Sequence, residues 1–282
     1  MDGFLLVNKP IGLTSHDVVY RIKKKLHIDK IGHTGTLDPF ASGLLILCLG
    51  KATKLAYLFS NLDKAYEGTV VFGNHYDTYD ITGTIINSDT PVFTESELKK
   101  EILSMIGTYH QVPPMYSAIK KDGKKLYELA REGIEIERES REVTITRFDI
   151  TSPFKNNEFS FYVNVSKGTY IRSIAVDLAE KLKTYAALST LKRVSVGKYM
   201  LEHAKNIDEI DKNDIISLDD YFSDTNSIVL NEYMIKLVKN GVYLDHRQIE
   251  TDLPFLVKNE ALENIAYYEV VSTNQYKPVI IF

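Results

Sequence analysis

Apolar residues recur at helical spacing near the start of the chain. They follow Thr14 and Ser15, either of which can cap a helix, and the opposite positions carry basic side chains. The apolar face consists of Val18, Val19, Ile22 and Leu26. This spacing predicts an amphipathic helix whose apolar face packs against the rest of the protein.

The rest of the chain alternates between strand-like and helix-like patterns. The predicted strands are Phe4–Val7, Leu44–Leu49, Thr69–Phe72, Tyr116–Lys120, 142–151, 158–166 and Val194–Val196, and Thr84–Ile86 is expected to pair with Thr69–Phe72. The predicted helices are Thr53–Leu62, a segment from the Thr94 and Glu97 capping box to Ile106, Lys124–Arg131 and Thr169–Lys183. Glycine and proline predict a loop at Gly32–Pro39.

The order of these elements predicts an α+β fold. Strands and helices follow one another without the strict alternation of a doubly wound sheet. Around residues 203–227 the chain becomes acidic and rich in Asp and Asn, and beyond it the apolar runs are short. We therefore predict a large domain at residues 1–227 and a small, mostly β module at residues 228–282.

Charge is distributed unevenly along the chain. The net formal charge is −4, but residues 1–60 carry eight basic and four acidic side chains, which gives +4. Residues 203–260 carry six basic and twelve acidic side chains, which gives −6. A basic N-terminal part could face phosphates while an acidic surface stays in solvent. Charge alone, however, favours ordinary surface variation over a nucleic-acid site.

Cysteine content and the lengths of apolar runs bear on location. The single cysteine, Cys48, lies inside the apolar run Leu44–Leu49, so it is expected to be a small buried side chain and no disulfide framework is possible. The first residues contain no charged leader, and no stretch is apolar enough to cross a membrane. We expect a cytoplasmic protein that has no membrane partner.

Familiar cofactor signatures are missing from the sequence. It contains no GxGxxG, GxxxxGK[ST], CxxC or HExxH motif. The segment Asp77–Gly83 resembles an acidic metal loop, but it lacks the spacing and the terminal Glu of an EF-hand, so a hydrogen-bonded turn is the better interpretation. We expect no cofactor and no metal ion.

The most informative segment is Gly32–Gly43, GHTGTLDPFASG. It holds one aspartate, Asp38, in a glycine-flanked loop that Pro39 restricts and that a predicted buried strand follows. Because Asp-Pro pairs are common in turns, Asp38 taken alone is better explained as a turn residue than as a functional carboxylate.

Together with three other segments, this loop resembles the motifs of the TruB pseudouridine synthases, with Asp38 at the catalytic position of that family. The other segments agree in order and spacing: Asn8–Ser15, Asp63–Tyr66 and Ser166–Ser173. The resemblance is dense over residues 1–200 and weak beyond, where Lys239–Val242 faintly resembles a PUA module. The sequence departs from the family pattern at Ile46, Tyr76, Thr184–Leu191 and Lys192, the last of which replaces the first of two arginines.

The resemblance implies both a fold and a set of site residues. The fold would be a catalytic domain with a large mixed sheet flanked by helices, followed by a PUA-like RNA-binding module. Asp38 would be the catalytic carboxylate, and Arg172 would be the cation that keeps it ionised in a closed site. The other implied substrate-binding residues are Tyr66 and Tyr170 as platforms for a flipped base, Leu191 as an apolar wall, His33 as a contact to a displaced nucleotide, and Lys9 as a phosphate contact.

The activity implied by the resemblance is conversion of uridine 55, in the T loop of tRNA, to pseudouridine. In that isomerisation the bond between uracil N1 and ribose C1′ breaks, the base turns, and C5 bonds to C1′, with no redox change. The implied partner is the T arm of tRNA, bound by a monomer without a guide RNA. A non-catalytic RNA-binding protein would not need Asp38, Tyr66, Tyr170 and Arg172 together. A guide-dependent synthase like dyskerin is expected to carry basic extensions.

Overall fold

A computed structural model describes all residues from Met1 to Phe282. The strands are β1 (Gly3–Lys9), β2 (Ile31–His33), β3 (Ser42–Leu49), β4 (Lys64–Phe72), β5 (Asn74–Tyr76), β6 (Ile85–Ser88), β7 (Gly107–Gln111), β8 (Lys120–Lys121), β9 (Lys124–Lys125), β10 (Arg141–Ile150), β11 (Glu158–Val165), β12 (Ala186–Val196), β13 (Tyr199–Met200), β14 (Lys205–Asn206), β15 (Ile216–Ser217), β16 (Ser227–Val229), β17 (Leu244–Asp245), β18 (Phe255–Lys258), β19 (Asn264–Ser272) and β20 (Gln275–Ile281). The helices are α1 (Ser15–Leu26), α2 (Ala56–Ser60), α3 (Glu95–Ser104), α4 (Leu126–Arg131), α5 (Ile171–Lys181), α6 (Leu218–Tyr221) and α7 (Glu232–Lys239).

The first helix forms for the reasons that its sequence indicates. Thr14 accepts a hydrogen bond from the main chain of Asp17, and the Asp17 carboxylate accepts one from Thr14 N in return, which completes a capping box. The four apolar residues of its predicted inner face are all buried. A second predicted capping box, formed by Thr94 and Glu97, starts α3. Both predicted helices are confirmed.

An eleven-stranded mixed sheet forms the centre of the first 217 residues. Its main strand order is β14-β1-β3-β12-β4-β11-β10-β7, and β2, β13 and β15 pair with β3, β12 and β1. Helices α3 and α5 pack on one part of this sheet, whereas α1 packs on β1 and β3. Because β3 and β12 are neighbours, the loop that leads from β2 into β3 lies beside the middle of the sheet. That loop carries Asp38.

Three predicted elements are wrong in extent or pairing. The last strand was expected at Val194–Val196 only, but β12 spans eleven residues because it is paired along its length with β4. Tyr116–Lys120 is not a strand, since only its last residue enters the two-residue hairpin of β8 and β9. The strand after Gly83 pairs with β5 rather than with Thr69–Phe72.

The predicted helix at Thr53–Leu62 is only partly present. A 3-10 helix covers Gly50–Leu55, and α2 follows it for five residues. The 3-10 helix is anchored because Ala52 and Leu55 are fully buried. No helix of the chain is long and apolar enough to cross a membrane.

A separate five-stranded sheet lies at the C-terminal end, with the order β16-β18-β19-β20-β17. It begins at Ser227, and the acidic segment before it adds β14 and β15 to the large sheet. One side of the small sheet shares an apolar core with the large sheet, in which Tyr267 and Ile280 join Phe4 and Phe59. Residues 228–282 are therefore packed firmly against the rest of the protein.

Candidate active site

The loop that carries Asp38 is fixed by the residues that precede and begin α1. The Ser15 hydroxyl accepts a hydrogen bond from Leu37 N at 2.8 Å and donates one to Leu37 O at 3.2 Å. Gly12 N donates to Pro39 O at 2.7 Å. These contacts hold the backbone on both sides of Asp38, while the Asp38 side chain remains 34% exposed.

Arg193 of β12 supports the same loop from the sheet. Its side chain is buried, and its Nε and Nη2 donate to the carbonyl oxygens of Leu44 at 2.8 Å and Gly35 at 3.2 Å. The strands approach so closely here that a Cβ on Gly43, whose φ is +105°, would collide with the Arg193 main chain. Arg193 thus ties β12 to the loop that presents Asp38.

Asp38 and Arg172 form an ion pair, with Arg172 Nε 2.9 Å from Asp38 Oδ2. The Arg172 side chain is only 5% exposed. Its Nη1 donates to Thr78 O at 2.7 Å and its Nη2 to Tyr116 O at 2.8 Å. Because neutral carbonyls occupy the two outer nitrogens, the guanidinium is held in one orientation and its charge is compensated chiefly by Asp38.

A second carboxylate, Asp80, lies on the far side of the guanidinium. Its Oδ2 is 3.9 Å from Arg172 Nη1, and its Oδ1 accepts a hydrogen bond from Thr82 N. The segment Asp77–Gly83 is the hydrogen-bonded turn that the sequence indicates. Burial raises the pKa of Asp38, Arg172 opposes that shift, and the negative charge of Asp80 adds to it. The net result is a carboxyl whose pKa lies above the ordinary value for aspartate.

A cavity of about 270 Å³ opens beside this ion pair. Tyr66 of β4, Leu191 of β12 and Tyr170 at the N-cap of α5 line it together with Asp38 and Arg172. Tyr66 and Leu191 are 8% and 7% exposed, so each presents only a small surface to the cavity. Five of the seven predicted site residues therefore surround one cavity, which offers a carboxylate, two aromatic rings and an apolar wall.

A second, larger cavity of about 780 Å³ adjoins the first at Asp38 and Arg172, which line both, and His33 lines it as well. The Nδ1 atom of His33 is buried without a hydrogen-bond partner, and burial lowers the pKa of this imidazole. The Tyr127 ring also lines this cavity, with Lys125 Nζ 5.3 Å and the Arg131 guanidinium 5.5 Å from its centroid. The structure thus places His33 near Asp38 but apart from the two tyrosines of the smaller cavity.

Lys9 has a different role from the one predicted. The residue is fully buried, and its Nζ donates to Pro10 O at 3.0 Å and to Leu13 O at 2.6 Å. Burial lowers the pKa of its ammonium group to about 8. A phosphate contact is wrong for Lys9, because it has no surface for RNA to reach. It instead fixes the turn that leads into α1.

The N-cap of α5 is held by a buried glutamine, Gln111, at the end of β7. Its Oε1 accepts from Tyr170 N at 2.8 Å, and its Nε2 donates to Tyr170 O at 3.1 Å and to the Tyr109 hydroxyl at 2.8 Å. The Tyr109 hydroxyl in turn donates to Asp177 of α5 at 2.9 Å, and burial raises the pKa of Asp177 to about 6. Tyr170 has no side-chain cap of its own, so Gln111 sets where α5 begins and hence where Arg172 lies.

Three residues that shape the site are not among the predicted site residues: Arg193, Lys64 and Gln111. Each is a polar residue whose own segment gives no sign of burial. Lys64 Nζ donates to Ser60 O at 2.7 Å beside the smaller cavity, and burial lowers its pKa to about 8. Arg193 had one available signal, since it directly follows the Lys192 departure from the two-arginine pattern. Gln111 had none.

Comparisons with known proteins show which family the chain resembles along its length. Residues 23–171, which include Asp38, Tyr66 and Tyr170, match the family described as TruB family pseudouridylate synthase (N terminal domain). The tRNA pseudouridine synthase B of Onion yellows phytoplasma is 50% identical over 283 residues that cover 100% of both chains. The protein of the same name from Acholeplasma laidlawii is 50% identical over 282 residues, again with 100% of both covered.

A solved structure shows the same fold. A chain of the crystal structure of a Cbf5-Nop10-Gar1 complex superposes with a TM-score of 0.68 at 22% identity, covering 96% of this chain and 79% of that one. This likeness confirms the predicted pseudouridine synthase fold with its large mixed sheet flanked by helices. On the family match and the full-length relatives together, the chain belongs to the TruB family of pseudouridylate synthases.

Proposed function

We propose that this protein converts uridine 55 in the T loop of tRNA to pseudouridine, with Asp38 as the catalytic carboxylate. The observation that carries the proposal is the Asp38–Arg172 pair at the wall of a cavity lined by two tyrosines. The full-length relatives named tRNA pseudouridine synthase B support tRNA as the substrate.

The reaction needs an anion beside the sugar. As the N1–C1′ bond breaks, positive charge develops on the ribose, and a carboxylate stabilises or captures it. Arg172 opposes the effect of burial on Asp38 and so favours the ionised carboxylate. The released uracil turns, C5 bonds to C1′, and C5 loses a proton while N1 gains one, so the product is an isomer of the substrate.

The smaller cavity is the proposed site of the reacting base. A uridine in a folded RNA is stacked, so it must leave the stack to reach Asp38. The rings of Tyr66 and Tyr170 provide faces for the flipped uracil, and Leu191 closes the cavity with an apolar surface. The volume of about 270 Å³ lies near the lower end of ligand pockets, roughly 300 Å³, which suits one base.

The larger cavity is the proposed site for nucleotides displaced beside the reacting uridine. His33, Tyr127 and the cations around that ring offer stacking and hydrogen bonding to unpaired bases. Asp38 lies at the boundary of both cavities. A single loop of RNA could therefore place its reacting base on one side of Asp38 and a neighbouring base on the other.

We further propose that the chain acts as a monomer, because one chain supplies all the residues that line the smaller cavity. We also propose that it acts on tRNA without a guide RNA. Residues 1–227 would carry the chemistry, and residues 228–282 would contribute to RNA binding.

The direct test is to incubate the purified protein with an unmodified tRNA transcript and to map pseudouridine at nucleotide resolution. We expect one modified position, in the T loop, without any added cofactor or second RNA. A transcript with cytidine in place of uridine 55 is the matched control and should remain unmodified. The Asp38→Asn protein, purified in the same way, excludes a contaminating enzyme.

Two outcomes would overturn the proposal. Pseudouridine at other positions with none in the T loop would contradict the assigned substrate. Modification by the Asp38→Asn protein at the wild-type rate would contradict the assigned carboxylate.

A further inference from the structure

The backbone of Tyr79 adopts a conformation that a tyrosine rarely takes. Its φ is +64°, in the left-handed region, where the side chain of a bulky residue crowds its own main chain. Tyr79 lies in the turn Asp77–Gly83 and directly follows the residue whose carbonyl oxygen binds Arg172. Backbone conformations of this kind persist only where the surrounding structure imposes them, and they concentrate at functional sites.

The φ angle of Tyr79 decides where the Thr78 carbonyl points. Because a peptide group is planar, rotation about the N–Cα bond of Tyr79 turns the whole Thr78 peptide group relative to the rest of Tyr79. In the observed conformation Thr78 O accepts a hydrogen bond from Arg172 Nη1 at 2.7 Å. An ordinary negative φ at Tyr79, with the residues after it held in place, would turn this carbonyl away from the guanidinium.

The edge of β12 holds the main chain on the C-terminal side of Tyr79. β12 pairs with β3 only through Lys192 and Arg193, so its edge near Leu188 is open to another segment. There Leu188 N donates to Tyr79 O at 3.1 Å, and Leu188 O accepts from Ile81 N at 3.0 Å. β12 also has a bulge just after Leu188. The two hydrogen bonds fix the direction in which the chain leaves Tyr79.

Aromatic contacts hold the side chain of Tyr79. Its ring centroid is 5.7 Å from that of His75, and the His75 ring in turn stacks on Tyr185 at 5.5 Å with an interplanar angle of 14°. Tyr79 N also donates to Tyr76 O at 3.1 Å. Rings packed at such distances stabilise an arrangement beyond the area that they bury. These contacts and the hydrogen bonds to β12 together offset the unfavourable backbone conformation.

We propose that Tyr79 is a positioning residue, whose left-handed backbone aims the Thr78 carbonyl at Arg172 and so fixes the guanidinium beside the catalytic carboxylate. This inference rests on the proposed function, in which that carboxylate is Asp38. Arg172 Nη1 is bound to Thr78 O, and its Nε lies 2.9 Å from Asp38 Oδ2. Because the guanidinium is planar and rigid, a shift at Nη1 also displaces Nε. Tyr79 lines neither cavity beside Asp38, so it acts through its backbone.

Two substitutions that both remove the ring separate the backbone preference from the ring contacts. Asparagine tolerates a positive φ, whereas a β-branched valine strongly disfavours it. In Tyr79→Val we expect kcat at saturating tRNA to fall roughly tenfold or more, with the Kd for tRNA within about twofold of wild type. In Tyr79→Asn we expect kcat within about threefold of wild type. A folded Val protein whose kcat equals that of the Asn protein would overturn the inference.

A double-mutant cycle with Arg172→Lys tests whether Tyr79 acts through the guanidinium. Lysine has a single nitrogen, so it cannot bind Thr78 O with one nitrogen and Asp38 with another. Tyr79→Val should therefore lower kcat by less than about threefold when it is added to Arg172→Lys. A merely structural role would give the same loss of kcat in both backgrounds, and that additive result would contradict the inference.

The matched control is Leu262→Val, because Leu262 also has a φ of +64°. It lies between β18 and β19 in the small sheet and lines neither cavity beside Asp38. The control creates the same backbone conflict elsewhere, so it should lower the melting temperature and leave kcat at saturating tRNA at the wild-type value. A loss of kcat as large as that of Tyr79→Val would show that the effect is general destabilisation and would rule the inference out.

A milder variant covers the case in which Tyr79→Val is unfolded at the assay temperature. Alanine disfavours a positive φ less than valine does and more than asparagine does. The kcat of Tyr79→Ala should therefore lie below that of Tyr79→Asn, and equal values would again contradict the inference. Failure of the wild-type protein to modify tRNA would instead contradict the proposed function.

Discussion

Positive charge is used in opposite ways by the buried cations around Asp38 and by three exposed lysines at the junction of the two sheets, Lys51, Lys54 and Lys277. Lys9, Lys64, Arg172 and Arg193 are buried, and each donates to main-chain carbonyl oxygens. Only Arg172 also pairs with a carboxylate close by. The three exposed lysines take part in no ion pair.

The difference teaches that the cations near Asp38 position the backbone, whereas the charges of the exposed lysines face solvent. Buried pairs are screened little by salt, while exposed charges beyond a Debye length, about 8 Å at physiological salt, are largely screened. Salt should therefore alter RNA binding far more than it alters the chemical step.

The largest effect is expected from replacing Arg172, the one buried cation that pairs with a nearby carboxylate. Arg172→Ala leaves the half-buried Asp38 without its partner, and we expect kcat to fall by more than about a hundredfold. Arg172→Lys keeps the charge but loses the fork that binds Thr78 O and Tyr116 O, so it should recover only part of the rate. Wild-type kinetics for the Lys variant would show that charge alone suffices. Single-turnover rates measure the loss of catalysis, and melting curves measure any loss of stability.

Replacing Tyr66 tests the aromatic side of the smaller cavity. Tyr66→Leu should lower the rate of pseudouridine formation much more than it lowers tRNA affinity, because the base–ring contact forms only after the base has flipped. Stacking is worth about 1–3 kcal/mol per base. Tyr66→Phe keeps the ring and should bind tRNA normally. Full activity in the Leu variant would place Tyr66 outside the reacting site.

Replacing Gln111 tests whether the position of α5, and with it of Arg172, controls the rate. Gln111→Met removes both bonds to the Tyr170 main chain, and each buried group left unpaired costs about 1–3 kcal/mol. We expect kcat to fall roughly tenfold or more with the Kd for tRNA within about twofold. The control is Ser173→Ala, which removes one bond from the same helix to Val112 O and should lower the melting temperature without this loss of kcat. Equal kcat losses in the two variants would mean that Gln111 acts only on stability.

The smallest expected effect is a shift in pH dependence. The charged groups that face Asp38 are Arg172, Asp80 and Lys9, and burial together with Asp80 raises its pKa while both cations lower it. The ionised form is the active one, so activity falls as the pH drops through this raised pKa. Asp80→Asn removes a negative charge and should move the acid limb of kcat to lower pH. A shift to higher pH would contradict this account of the electrostatics.

Local signals predicted the helices of this protein better than its central strand. The capping boxes at Thr14 and Thr94 are complete within four residues, so the sequence alone indicates where α1 and α3 begin. Most of β12 escaped prediction because Ala186–Ser189 is poor in strong strand formers, and pairing with β4 makes it a strand.

The site residues show the same contrast between what local sequence predicts and what long-range contacts decide. Asp38, Tyr66, Tyr170, Leu191 and Arg172 could be chosen because four ordered segments resemble one family, and the structure brings them to one cavity. Their distances could not be derived from local pattern, since the partners of Arg172 lie 94 and 56 residues away along the chain. Lys9 was misjudged because a lysine at the end of a strand normally faces solvent, whereas here the turn that follows encloses it.

The account rests most directly on the Asp38 carboxylate, and a single comparison tests it. Single-turnover pseudouridine formation and the Kd for tRNA are measured for wild type and Asp38→Asn in the same buffer. The account predicts no detectable product from the Asn protein and a Kd within severalfold of wild type, because the side chain keeps its shape and loses only its charge. Product formation at near the wild-type rate by a folded Asn protein would contradict it.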